Sequence, residues 1–121
     1  MTALDSFEAF VAKVCEQLAE DERTGAVAYA ALRDLPFEAG TALQFPGTSI
    51  QVISNSWLAF IDRDPMANWG HAARYLLIDC VSGAASSIDT RFPPFNSEGG
   101  LQWRVIYKAP SIPDAAVADP K

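Results

Sequence analysis

His71 is the single histidine of this 121-residue chain. It closes a polar run, Asp62-Arg63-Asp64-Pro65-Met66-Ala67-Asn68-Trp69-Gly70-His71, that is longer than a tight hairpin needs. With Asp62 and Asp64 close by, the imidazole could form a carboxylate–imidazole pair or part of a metal site. A structural metal site needs more ligands than one His and two Asp on such a run, so no metal is assigned. Hydrolytic use of His71 needs a nucleophile within hydrogen-bond reach. Cys80 is the nearest thiol in sequence, at the far end of an extended apolar segment. At about 3.3 Å per residue that segment separates the two groups by nearly 30 Å, which excludes a dyad on a straight strand. No catalytic residue is therefore assigned. No phosphate-cradling glycine loop, serine elbow or zinc spacing is present either, and no cofactor is implied.

The same run reads better as a binding loop. Met66 and Trp69 are large apolar side chains among charged neighbours, and aromatic anchors are enriched at interfaces. Asp64, Met66, Asn68, Trp69 and His71 are the candidate contact residues. The competing reading is that Trp69 and Met66 fold back and cap the sheet edge. Asp79 and Asp89 flank a Ser82-Gly83 turn and read as acceptors of backbone N–H groups.

The elements that must position this loop follow from periodicity. Residues 57–62 and 72–80 are apolar extended segments, and a third runs from the turn to Pro93. Together they form a β-meander. Arg74, Leu76, Ile78 and Cys80 point one way and Ala73, Tyr75, Leu77 and Asp79 the other, so both faces of the central strand are covered. Residues 101–108 alternate Leu101, Trp103, Val105 and Tyr107 with Gln102, Arg104, Ile106 and Lys108, giving a half-buried strand with a wet face. At a sheet edge that strand could support homo-oligomerisation. Residues 41–45 and 49–53 are extended, with a Pro46-Gly47 turn between them.

Phe7, Phe10, Val11, Val14, Cys15 and Leu18 make one apolar helical stripe. Asp5 is its predicted N-cap, and it should end near residues 21–23. The alanine-rich residues 26–34 predict a short second helix, stopped by Pro36. The fold class is α+β, with N-terminal helices packed on an antiparallel sheet of four to five strands. Residues 1–108 form the domain. Residues 109–121, rich in proline and small side chains, read as a loose tail. The predicted core comprises Phe7, Val11, Val14, Leu18, Leu58, Phe60, Leu76, Ile78, Val105 and a tryptophan.

Composition narrows the function class. Fifteen acids against nine bases leave a net charge of −6, with no Lys/Arg cluster. That balance disfavours nucleic acid and anionic membranes as partners. The two cysteines, Cys15 and Cys80, read as buried reduced thiols. No signal-peptide pattern or spanning apolar run occurs, so a soluble, cytoplasmic protein is expected.

The stretch Tyr75-Leu76-Leu77-Ile78-Asp79-Cys80-Val81-Ser82-Gly83 resembles the closing hairpin of PepSY-type and related peptidase-propeptide domains. In those the order is an aromatic residue, an alternating strand, Asp, two residues, Thr or Ser, Gly and another strand. The Trp57 strand and the preceding helices are similar in order. After Gly83 the chain departs from that pattern, reading Ala-Ala-Ser-Ser where an acid and a β-branched pair are usual. The resemblance implies a non-catalytic regulatory domain that inhibits, chaperones or docks onto another protein. It carries over no functional residue. The expectation is a protein-binding domain; the alternative is a small-molecule-binding protein or minor enzyme with a helix–sheet pocket near His71 or Tyr75.

Overall fold

The computed structural model describes residues 6–67, 70–95 and 101–117. Helix α1 spans Phe7–Gln17 and begins at Ser6, whose Oγ accepts the Ala9 N–H at 3.2 Å. The predicted cap, Asp5, lies outside the described residues. Phe10, Val14 and Leu18 of the apolar stripe are buried, while Phe7 and Val11 are half-buried against the same cluster. At about 1.5–3 kcal/mol per large apolar side chain, this stripe is the main reason the helix stays on the sheet. Phe10 stacks on Trp57 with ring centroids 5.5 Å apart.

The helix stops at Gln17, earlier than its stripe predicts, and a separate helix α2 covers Glu20–Gly25. No glycine or proline lies at the break. It coincides instead with contacts made by α2. Glu22 Oε1 accepts the Ala19 N–H at 2.8 Å, and Arg23 Nη2 donates to the Cys15 carbonyl, an otherwise orphaned C-terminal group of α1, at 2.8 Å.

The short second helix expected of the fold is present as α2, but residues 26–34, its predicted position, are not helical. That stretch holds strand β1, Val27–Ala31, every residue of which is buried. Strands β2 (Ala42–Phe45), β3 (Thr48–Gln51), β4 (Ser56–Asp62), β5 (Ala73–Asp79), β6 (Ala85–Thr90) and β7 (Trp103–Lys108) follow. Alanine favours helix in isolation, but β1 sits between β4 and β7 and gains antiparallel pairing on both sides. Val27 and Tyr29 face one cluster while Ala28 and Ala30 face the α1 side, where small side chains let the helix approach.

The main sheet is five-stranded in the order β6-β5-β4-β1-β7, and β2–β3 forms a separate two-stranded sheet. The β4-β5-β6 meander is as the sequence predicts. β7 lies at an edge, with a register irregularity against β1 between Ala28 and Tyr29. One face of the sheet packs under α1. The other carries Tyr29, Phe60, Tyr75 and Trp103, with Phe45, Ile50 and Val52 from the β2–β3 unit in the same cluster.

Residues 109–117, the described part of the stretch 109–121 read as a loose tail, make contacts with the domain; residues 118–121 lie outside the described residues. Ala109 is wholly buried and its N–H donates to the Ala26 carbonyl at 3.0 Å, while Ile112 is buried in the aromatic cluster. Ser111 Oγ donates to the Thr24 carbonyl at 2.8 Å, and Tyr107 Oη donates to the Arg23 carbonyl. Composition hid this because two apolar anchors suffice to hold a short segment. Cys15 and Cys80 are free thiols, half-buried rather than fully buried.

The turn after β5 is built as expected at one of its two carboxylates. Asp79 Oδ1 accepts the N–H groups of Val81 (2.8 Å) and Ser82 (2.9 Å), and its Oδ2 accepts Ser54 Oγ at 2.5 Å. These hydrogen bonds hold its pKa down, to about 2. Asp89 lies instead within β6, opposite Arg74. The lowered Asp79 pKa favours the ionised native state. Its stabilising contribution is present above the ordinary pKa of 3.8 and is lost as pH falls from there towards 2. The Asp79→Asn variant should therefore show a flatter acid limb. Urea midpoints of both proteins measured between pH 5 and pH 2 check this, and parallel curves would contradict it.

Candidate functional site

The connection between β4 and β5 is the loop that the sequence singles out. Asp62, the last residue of β4, and His71, just before β5, are both buried and bond to each other, His71 Nε2 to Asp62 Oδ1 at 2.7 Å. The carboxylate–imidazole pair read from spacing is thus present. Asp62 Oδ1 also accepts the Asp64 N–H at 3.1 Å. Burial raises the Asp62 pKa, and the hydrogen bonds from His71 and from the Asp64 backbone act in the opposite direction. A buried carboxylate must be satisfied in this way or remain protonated.

The pair locks the two ends of the loop together. Further along, Ala67 N–H donates to the Asp64 carbonyl at 3.0 Å and Gly70 N–H to the Arg91 carbonyl at 3.1 Å. Gly70 sits at φ 103°, a left-handed conformation that a side chain would strain. Between these anchors Asp64 is exposed, and Met66 is 65% exposed rather than folded back onto the sheet edge. Asn68 and Trp69 lie outside the described residues. Of the candidate contact residues, the structure thus puts Asp64 and Met66 on the surface and His71 inside, as a brace for the loop.

Cys80 lies beyond the opposite end of β5 from His71, as the strand-length argument predicts. Among the described residues no group of three or more His, Cys, Asp or Glu side chains is arranged to hold a metal ion. The helix–sheet interface, where the alternative reading places a pocket, is filled by Phe10, Val14, Trp57, Ile61, Leu76 and Ile78. Tyr75 is fully buried on the other face, where burial pushes its phenol pKa upward. Its hydroxyl and Trp103 Nε1 have no hydrogen-bond partner among the described residues.

At the margin of the helix–sheet interface a concavity of about 220 Å³ remains between Phe7, Glu8 and Val11 of α1 and residues 104–106 of β7. Further concave surface lies away from the helix. A groove of about 290 Å³ runs between β3 and β6, with Ile50, Leu77 and Ile88 as its apolar lining. A second, of about 340 Å³, is bordered by Arg63, Ala72, Asp89, Thr90 and Arg91, beside the loop.

An ionic cluster that sequence reading did not anticipate fixes the helical side of the same region. Glu22, only 2% exposed, receives Arg74 Nε and Nη2, both at 2.8 Å, and lies 3.2 Å from Arg63 Nε. Arg74 also donates to the Gln17 carbonyl and to Ser87 Oγ, each at 3.1 Å. Arg63, the first residue of the loop, is thereby tethered to α2, where it also meets Asp21 at 3.1 Å. The signal for this cluster was an arginine in phase with Leu76 and Ile78, which demands a buried acid, though spacing alone does not say which.

No family model, curated protein or solved structure matches the chain. Among the described residues no helix is long and apolar enough to cross a membrane.

Proposed function

We propose that this chain is a non-catalytic, cytoplasmic domain that binds another protein through surface contacts of the β4–β5 loop, as an inhibitor, chaperone or assembly subunit. The observation that carries the reading is the exposed Met66, held out from a loop whose base is braced by the Asp62–His71 pair. A rigid base lowers the ordering cost of binding, and an apolar tip supplies the contact. The placement of Asp64 at the surface adds polar contact beside it. The regulatory role implied by the PepSY-type resemblance points the same way.

The test begins with affinity purification of the tagged protein from its native cells and mass spectrometric identification of what comes with it. The partner is then remade in pure form and titrated against wild type, Met66→Ala and Trp69→Ala. Both variants should fold, and at least one should weaken the complex about tenfold or more, the scale of an interface hot spot. Wild-type affinity in both loop variants would remove the loop from the interface.

A further inference from the structure

A different surface carries a more specific inference, independent of the loop. Among the described residues β6 forms one edge of the five-stranded sheet and pairs only with β5. The Asp79 N–H donates to the Ala84 carbonyl at 2.9 Å, which sets the phase of the ladder. In the observed register, Ser86, Ile88 and Thr90 then turn their backbone groups towards β5. Ala85, Ser87 and Asp89 turn theirs outward, at the free edge. Natural edges are commonly blunted by lysine, proline or a bulge. β6 reads Ala-Ser-Ser-Ile-Asp-Thr and pairs without a register shift, so only Asp89 guards it.

Beneath this edge lies the groove of about 290 Å³ between β3 and β6. Its walls are tied at one end by Thr48 Oγ1 and Thr90 Oγ1, 2.5 Å apart, and at the other by Ser54 Oγ and Asp79 Oδ2, also 2.5 Å apart. These contacts hold β3 beside β6, and the space between them is a half-open slot. Side chains of a strand added along β6 would alternate, and those on the β3 side would enter it. Its volume, near the low end for ligand pockets, suits one large side chain, with Ile50, Leu77 and Ile88 as apolar contacts and Ser49, Gln51 and Ser86 as polar ones at its rim.

We propose that β6 accepts an extended, basic peptide segment by strand addition, with an apolar side chain seated in the β3–β6 slot. Main-chain bonds to Ala85, Ser87 and Asp89 supply affinity, and the slot supplies selectivity. Charge decides between a foreign peptide and a second copy of this chain. Asp79 borders the slot and Asp89 lies on the edge, and Arg91 follows the strand. The chain as a whole carries −6, which a second copy would double and a basic segment would offset.

A random-peptide phage library panned on the full chain tests this, using the selected peptides as probes. They should be enriched in basic residues flanking an apolar one. In wild type they should slow amide exchange at Ala85, Ser87 and Asp89. Ser87→Pro removes an outward N–H without touching the β5 ladder and should weaken binding about tenfold or more, whereas Ser87→Ala, which loses only the same Arg74 contact, should bind as wild type does. Ile88→Asp, which places a charge in the slot, should weaken binding as Ser87→Pro does. Met66→Ala should bind these peptides as wild type does, which separates this inference from the loop reading. Selection of no peptide, exchange protection confined to other residues, or a dimer in sedimentation whose protection maps to β6 would each overturn it.

Discussion

Replacing Arg74 by methionine is expected to cost about 3–5 kcal/mol of folding stability, the range for stripping one partner from a buried ion pair. The methionine retains most of the apolar stem, so lost packing is a minor part of the change. What is lost is a fork that meets both oxygens of Glu22 at 2.8 Å and also holds the last turn of α1 through the Gln17 carbonyl. Glu22, 2% exposed, would keep only the longer Arg63 contact and the Ala19 N–H. Adding Glu22→Leu to Arg74→Met should recover much of the loss, because a matched apolar pair avoids burying an uncompensated charge. Urea unfolding of wild type, the single variant and the double variant gives the three values. A single-variant loss under about 1 kcal/mol would place the cluster with ordinary surface ion pairs.

The second large effect is expected at the base of the loop. His71→Ala leaves Asp62 buried, with the Asp64 N–H as its remaining partner, and should cost about 3 kcal/mol near neutral pH. The effect should also depend on pH. Burial raises the folded-state pKa of Asp62 above 3.8, so between 3.8 and that raised value the native protein holds a proton that the unfolded chain has released. Stability from this group is then highest below 3.8 and falls as pH rises through the window. His71 contributes two effects that lower the Asp62 pKa, its hydrogen bond and its charge. Removing it should push the pKa higher and widen the window. The deficit of the variant relative to wild type should therefore be smaller at pH 4 than at pH 7. Urea midpoints at both values measure it, and a deficit that grows towards acid would refute the assignment.

Much of the architecture could be read from side-chain order. The stripe from Phe7 to Leu18 specified a helix because its spacing matches the helical repeat, and Phe10, Val14 and Leu18 are buried as that demands. The alternation of Arg74, Leu76 and Ile78 with Tyr75 and Leu77 specified a strand covered on both faces, and the two faces do join different clusters. The Asp62–His71 pair was legible because its members bracket a single loop, so proximity in the chain implied proximity in space.

What escaped the sequence shares a physical cause. Residues 27–31 carry an alanine-rich signal for helix, worth only tenths of a kcal/mol per residue, and ladder bonds to β4 and β7 on both sides outweigh it. The break after Gln17 follows from Glu22 and Arg23 finding partners rather than from any breaker residue. Residues 109–117 pack because Ala109 and Ile112 reach a cluster built from distant strands. Local pattern decides which side chains share a face. Folding alone decides which faces meet, since it brings together groups such as Glu22 and Arg74 whose separation in the chain carries no signal of their contact.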